Sequence, residues 1–280
     1  MYTDAILKDQ ELDKTLLAEG YVVVPFLEKA QVENLKHFFY ENHPKDIPGF
    51  YASAHSQDLV FRQKMNDQIK STYSEAIDRY FSNCEALGGS FVVKTKAQKE
   101  KLHPHQDWNI VDEKQYRSFN IWVPLVDLTE KNGAIRVLPK SHLWGENYRG
   151  PNIPDERQDQ LSVFWDKMQT LMMKAGEALI YDHRLYHASY PNKMDEFRLA
   201  TVFGIKPAEA EMFYYFGKED KIEVYKSSVE FFMTGDIQRG PEILELVKRI
   251  QNDSSPNKSS TKDPDKNSIL DKLKRLFHQL

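Results

Sequence analysis

Between residues 90 and 205 the chain falls into five short runs: SFVVKTKA (90–97), SFNIWVPLVD (118–127), GAIRVLP (133–139), GEALIYD (176–182) and FRLATVFGI (197–205). Each is rich in β-branched and aromatic residues. Turn signals such as EKNG (130–133) and YPNK (190–193) separate them. Runs this short, bounded by Gly, Pro and Asn, make strands. Several in succession predict an all-β sandwich or barrel. AEMFYYF (210–216) reads as a further strand, and no internal repeat is present.

Helices flank this β region. Residues 5–19 read as a helix that stops at Gly20, a residue suited to a left-handed C-cap. YVVVPF (21–26) reads as a strand, and 29–41 as a second helix ending before NHPKDIPG. In a third, at about 57–82, Phe61, Met65, Ile69, Tyr73, Ile77 and Phe81 recur every four residues and form one apolar stripe. PEILELVKRI (241–250) reads as a helix with Pro at its start. Residues 144–170 interrupt the strand series and are expected to act as a lid or binding loop. The loop after residue 48 is a second candidate for substrate contacts, while GFY (49–51) reads as packing.

Composition narrows the function classes. The 280 residues hold 38 Lys plus Arg against 42 Asp plus Glu, a net charge of −4. That is not the basic footprint of a nucleic-acid binder. The single cysteine, Cys84, cannot form an internal disulfide or build a Cys-based metal cluster. It is expected to be a small buried apolar group. No apolar run is long enough to span a bilayer, and the charged start MYTDAILKDQELDK lacks a secretory core. The expectation is a cytoplasmic protein. Residues 252–267, NDSSPNKSSTKDPDKN, contain no aliphatic or aromatic side chain and predict a disordered polar linker. In 268–280, Ile269, Leu270, Leu273, Leu276, Phe277 and Leu280 predict an amphipathic helix, a candidate for docking on its own domain, an oligomer mate or a partner. The expected organisation is therefore one domain at 1–251, a linker and a terminal helix.

The chemistry-bearing segment is KLHPHQDWNIVDE (101–113). His105 and Asp107 are two apart, so on extended chain they point to the same side. A distant imidazole, His183 or His187, would complete a two-His-one-carboxylate set. Such a set holds a metal on one face, leaves the other open, and suits non-haem Fe(II) that activates O₂. His103 offers a competing His-x-His pair of the kind found in cupin metal sites. The cupin pattern wants Gly at 97 and Glu at 109 or 110, where this chain has Ala97, Asn109 and Ile110. His142 reads as structural, and His37, His43, His55 and His278 read as surface or boundary residues.

His105-x-Asp107, then SFNIWVPLVDLTEKNGAIRVLPKSH (118–142), then His187-Ala188-Ser189 with Arg198 eleven residues past His187, resembles the phytanoyl-CoA dioxygenase family over roughly residues 15–207. The resemblance implies a mainly β, α+β fold: a double-stranded β-helix (jelly-roll) core supported by N-terminal helices. It implies an Fe(II)- and 2-oxoglutarate-dependent dioxygenase using O₂, with ascorbate as a supporting reductant. By the same resemblance His105, Asp107 and His187 would ligate iron. Arg198 would pair with the distal carboxylate of 2-oxoglutarate, Ser189 would donate to it, and Trp122 would lie beside it. Halogenating relatives replace the ligand carboxylate with a small residue, so Asp107 points to a hydroxylase. The substrate would be small or carrier-tethered, and no residue contacting it can be named. A catalytically idle scaffold is the alternative, which the intact set of four residues disfavours.

Overall fold

The computed structural model describes residues 5–251, apart from 98, 235, 236, 238 and 239. The linker expected at 252–267 and the helix at 268–280 lie outside the described residues. Helix α1 (Gln10–Glu19) begins later than the expected residue 5, because Asp9 is extended and its carboxylate accepts from the Glu11 and Leu12 amides. It ends as expected at Gly20, whose φ of +86° lets its N–H reach the Leu16 carbonyl. Strand β1 (Tyr21–Pro25), α2 (Lys29–Asn42), β2 (Phe50–Ala52), α3 (Leu59–Tyr80) and β3 (Cys84–Lys94) follow. Cys84 is half-buried rather than buried.

Next come β4 (Leu102–His105), β5 (Phe119–Pro124), β6 (Ile135–Val137), α4 (Leu161–Lys167), β7 (Gln169–Thr170), β8 (Glu177–Asp182), β9 (His187–Ser189) and β10 (Arg198–Pro207). Strands β11 (Phe213–Lys218) and β12 (Lys221–Lys226), short helix α5 (Val229–Thr234) and β13 (Glu245–Gln251) complete the described chain.

Two antiparallel sheets form the jelly-roll core. One has six strands in the order β1-β8-β5-β10-β3-β2, the other four in the order β4-β9-β6-β7. Alternation along each strand divides the side chains between two cores. Phe91 and Val93 of β3 and Phe203 and Ile205 of β10 face outward onto Leu16, Leu35, Phe39, Met65, Ile69 and Tyr73 of the three helices. The four-residue stripe of α3 thus packs on the sheet, with Met65, Ile69 and Tyr73 fully buried. Each such side chain contributes about 1.5–3 kcal/mol through burial. Val92, Trp122, Leu179 and Ala200 face the other way, onto Ile135 and Val137 of the smaller sheet. The site lies between the two sheets.

The third sheet, β11-β12-β13, corrects one expectation. Residues 245–251 are a strand, not part of a helix at 241–250. The apolar spacing fits both periods, and antiparallel pairing with β12 from Lys221↔Gln251 to Lys226↔Glu245 decides it. Among the described residues no helix is long and apolar enough to cross a membrane.

Candidate active site

His105 ends β4 and His187 begins β9, and the two are cross-strand partners with ring centroids 4.2 Å apart. Between Leu102↔Ser189 and His105↔His187 the β4 strand carries one residue more than β9. Pro104 sits in that bulge, where a missing N–H is tolerated. Asp107 follows in extended chain and is tethered on three sides. Its N–H donates to the His183 carbonyl (3.0 Å), its carbonyl accepts from Arg149 Nε (2.6 Å), and its Oδ2 accepts from Asn120 Nδ2 (2.8 Å).

One ligand-type atom from each of His105, Asp107 and His187 lies within 4.8 Å of the other two. His187 Nε2 is 3.9 Å from Asp107 Oδ1. His105 Nδ1 meets the His103 carbonyl at 2.8 Å and His187 Nδ1 meets the Leu185 carbonyl at 3.0 Å. A carbonyl only accepts, so in both rings Nδ1 carries the proton and Nε2 keeps a free lone pair. Burial, with His187 nearby, pushes the His105 pKa down to about 4, which keeps the ring neutral. Burial alone would raise the Asp107 pKa; His187, His183, His105 and the Asn120 hydrogen bond outweigh it and hold the carboxyl below its ordinary value. Two imidazoles and one carboxylate converging on a point fit a divalent metal held on one face.

Two residues along β9, Ser189 Oγ accepts from Lys94 Nζ at 2.7 Å, and the Tyr190 carbonyl accepts from the same nitrogen at 2.8 Å. Lys94 is fully buried and is the register partner of Arg198. Arg198 is also buried, lies 5.2 Å from the Trp122 ring centre, and has an Nε with no hydrogen-bond partner. Burial, then the Arg198 charge, push the Lys94 pKa down to about 6; burial takes Arg198 down to about 10. A guanidinium beside an amine that an incoming anion would charge, without a described carboxylate, makes a receptor for an anion, about 7 Å along β9 from His187.

These groups open into one cavity of about 540 Å³. His105, Asp107, His187, Ser189, Trp122 and Arg198 all line it. His103 is exposed and contributes only its carbonyl, so the His-x-His alternative is not brought to the cluster. His183, the other candidate for the third ligand, is buried against the cavity but outside the cluster, with Nδ1 on Ser118 Oγ at 2.9 Å. His142 is buried and bonded through Nε2 to the Leu17 carbonyl, away from the cavity. Phe50 lines the cavity, contrary to the reading of packing, and His55, an exposed boundary residue as expected, lines its rim. Among the described residues none from 144–170 lines it; instead Asn147 and Arg149 bind Gln106, Asp107 and Asn109 and brace the ligand segment. Lys94, Asn120 and Arg62 went unmarked in sequence. The alternation SFVVK, which sets Lys94 on the face of Ser90 and Val92, is the signal that could have flagged the lysine.

The sequence profile described as phytanoyl-CoA dioxygenase matches residues 18–200. The chain is 25% identical over 207 residues to a phytanoyl-CoA dioxygenase domain-containing protein 1 homolog of Dictyostelium discoideum, covering 66% of this chain and 67% of that one. It is 27% identical over 130 residues to dioxygenase trt7 of Aspergillus terreus, covering 44% of this chain and 41% of the relative. It thus spans less than half of that second relative. Among solved structures, the non-haem alpha ketoglutarate dependent carbocyclase SnoK of nogalamycin biosynthesis is similar with a TM-score of 0.56 at 15% identity, covering 89% of this chain and 100% of the other. The epimerase SnoN, solved with Fe3+, alpha ketoglutarate and nogalamycin RO, is similar with a TM-score of 0.53 at 22% identity, covering 72% and 85%. Identities this low show a shared fold.

Proposed function

The chain belongs to the phytanoyl-CoA dioxygenase family, and on that premise we propose that it is an Fe(II)- and 2-oxoglutarate-dependent dioxygenase. The reaction proposed is hydroxylation of an unactivated C–H in a small or carrier-tethered organic substrate. The observation that carries the reading is the convergence of His105, Asp107 and His187, with both Nε2 atoms free, beside the buried pair Lys94 and Arg198. When bound, iron and 2-oxoglutarate supply the oxidising power, coupling O₂ reduction and release of succinate and CO₂ to oxygen insertion.

The chain's own residues position and exclude. His105, Asp107 and His187 would hold the metal, with their orientation set by the His103 and Leu185 carbonyls and Asn120. Arg198, stacked near Trp122, presents a planar fork suited to a carboxylate. Lys94 adds a second donor, and Ser189, already accepting from Lys94, keeps its own hydroxyl proton to donate. Trp122, Ile135 and Val92 around this end exclude water and strengthen the charge pairing. The activity is assigned to a domain at 1–251. The reading takes hydroxylation over halogenation because Asp107 fills the position a halide would need.

The test is turnover without added substrate. Purified protein with Fe(II), ascorbate and 2-oxoglutarate should release succinate under O₂. His187→Ala and Asp107→Ala should lose both iron binding and succinate. Unchanged iron affinity and succinate yield in both variants would sink the ligand assignment.

A further inference from the structure

The cavity extends beyond the metal-ligand cluster along β3, from Val92 to Gly88. Val92, Ser90 and Gly88 share the Lys94 face of β3, and Val202 and Gly204 share the Arg198 face of β10. This part is lined chiefly by apolar groups, including Leu87, Ile110, Met212 and Met233. Asp107 is the only carboxylate among the described residues that line it.

One cation in this wall has no use in the chemistry above. Arg62 projects from α3, is 6% exposed, and lines the cavity. Its Nη2 donates to the Ala54 carbonyl. Its Nε is buried without a hydrogen-bond partner, and among the described residues no carboxylate lies within ion-pair reach. Arginine does not shed its proton to escape such a place. An uncompensated buried charge is costly, and a backbone carbonyl alone does not neutralise it. His55 stands beside it at the rim; burial and the Arg62 charge lower its pKa, so it offers a neutral ring and no competing positive charge.

We propose that Arg62 anchors the substrate, and that the substrate is an organic anion, a carboxylate or a phosphate monoester, on an apolar body that fills the cavity between Arg62 and the metal-ligand cluster. The guanidinium fork matches the two oxygens of either group. Position sets the reach. Arg62 is tied to Ala54, whose N–H meets Ser90 of β3, while Asp107 is held by Asn120 of β5. Strands β3 and β5 flank β10. Two strand spacings and a two-residue offset put Ser90, beside the Arg62 anchor, roughly 12 Å from the Asn120 that holds Asp107, a span the apolar body would bridge. The inference rests on the oxygenase reading only in calling the ligand a substrate.

The test uses the full chain with Mn(II) and saturating 2-oxoglutarate under argon, so that Lys94 and Arg198 are already engaged. Binding of 6-phenylhexanoate, 6-phenylhexyl phosphate and the neutral 6-phenylhexanamide is measured by calorimetry. At least one anion should bind tenfold or more tightly than the amide, and the tighter anion names the group. Arg62→Met should erase that preference while leaving amide binding in place. Should that variant fail to fold, Arg62→Gln, which keeps an uncharged polar donor on α3, carries the same test. Equal affinity for anion and amide, failure of both anions to bind at millimolar concentration, or a preference that survives the loss of Arg62 overturns the proposal. Because the readout is binding, an inactive chain with an Arg62-dependent preference would refute the oxygenase reading alone. Succinate release without any preference would refute the anchor alone.

Discussion

Replacing Lys94 by Met should stabilise the ligand-free protein and weaken it as a receptor for a dicarboxylate. Burial and Arg198 lower the Lys94 pKa from 10.5 to about 6. Between those values the unfolded chain holds a proton that the folded chain has released. Wild-type stability therefore rises with pH across this window. At pH 7 the mismatch is about 3.5 units at about 1.4 kcal/mol per unit, a cost of about 5 kcal/mol. Methionine removes that cost and leaves the Ser189 hydroxyl and the Tyr190 carbonyl without their donor, about 1 kcal/mol each. The net expectation is a gain of about 3 kcal/mol at pH 7 that fades to near zero at pH 9, where the cost in wild type falls to about 2 kcal/mol. Denaturant unfolding of metal-free wild type and Lys94→Met at both pH values measures it. Calorimetry with Mn(II) should show 2-oxoglutarate bound at least tenfold more weakly by the variant. In wild type, binding near pH 7 should take up a proton as Lys94 becomes charged. A variant that is destabilised equally at both pH values, or that binds 2-oxoglutarate as wild type does, would refute the reasoning.

Two further predictions concern the frame around the ligands. Arg149→Met strips the Asp107 and Asn147 carbonyls of their donor and leaves the buried Glu113 without its bidentate partner. It should cost about 3–5 kcal/mol in denaturant unfolding and weaken metal binding about 10–100-fold; adding Glu113→Gln should restore stability but not metal affinity. Gly20→Ala forces a side chain into φ +86° and brings its Cβ to 2.5 Å from His142 Nδ1, so the unfolding free energy should fall by about 2 kcal/mol or more.

Much of this was legible in sequence where local pattern and tertiary demand coincide. The β-branched runs at 118–127, 176–182 and 197–205 became β5, β8 and β10, because strands buried on both faces need little but apolar residues. Gly20 ended its helix because the left-handed turn there requires it. The pair His105 and Asp107 could be read because they lie two residues apart, at the end of β4 and just past it. The errors arose where distant contacts decide. The apolar residues at 243–250 satisfy a helical period, and only the edge of β12 makes 245–251 a strand. Residues 144–170 look like a lid by length and composition, yet Asn147 and Arg149 are spent on bracing the Asp107 segment. Lys94 and Arg62 are single charges in a strand and a helix; the alternation SFVVK is a local sign for the first, and nothing local separates Arg62 from a surface residue. Folding buries Arg62 in the cavity wall and Lys94 against Ser189, neither with a described carboxylate partner.

The central claim is that this chain uses the metal-ligand cluster to couple 2-oxoglutarate to O₂. It is tested most directly by mass spectrometry of succinate formed under isotopically labelled O₂. The account predicts one labelled oxygen per succinate from the wild-type chain with Fe(II), and none formed by Asp107→Ala. Unlabelled succinate, or labelled succinate made equally by the Asp107 variant, would contradict it.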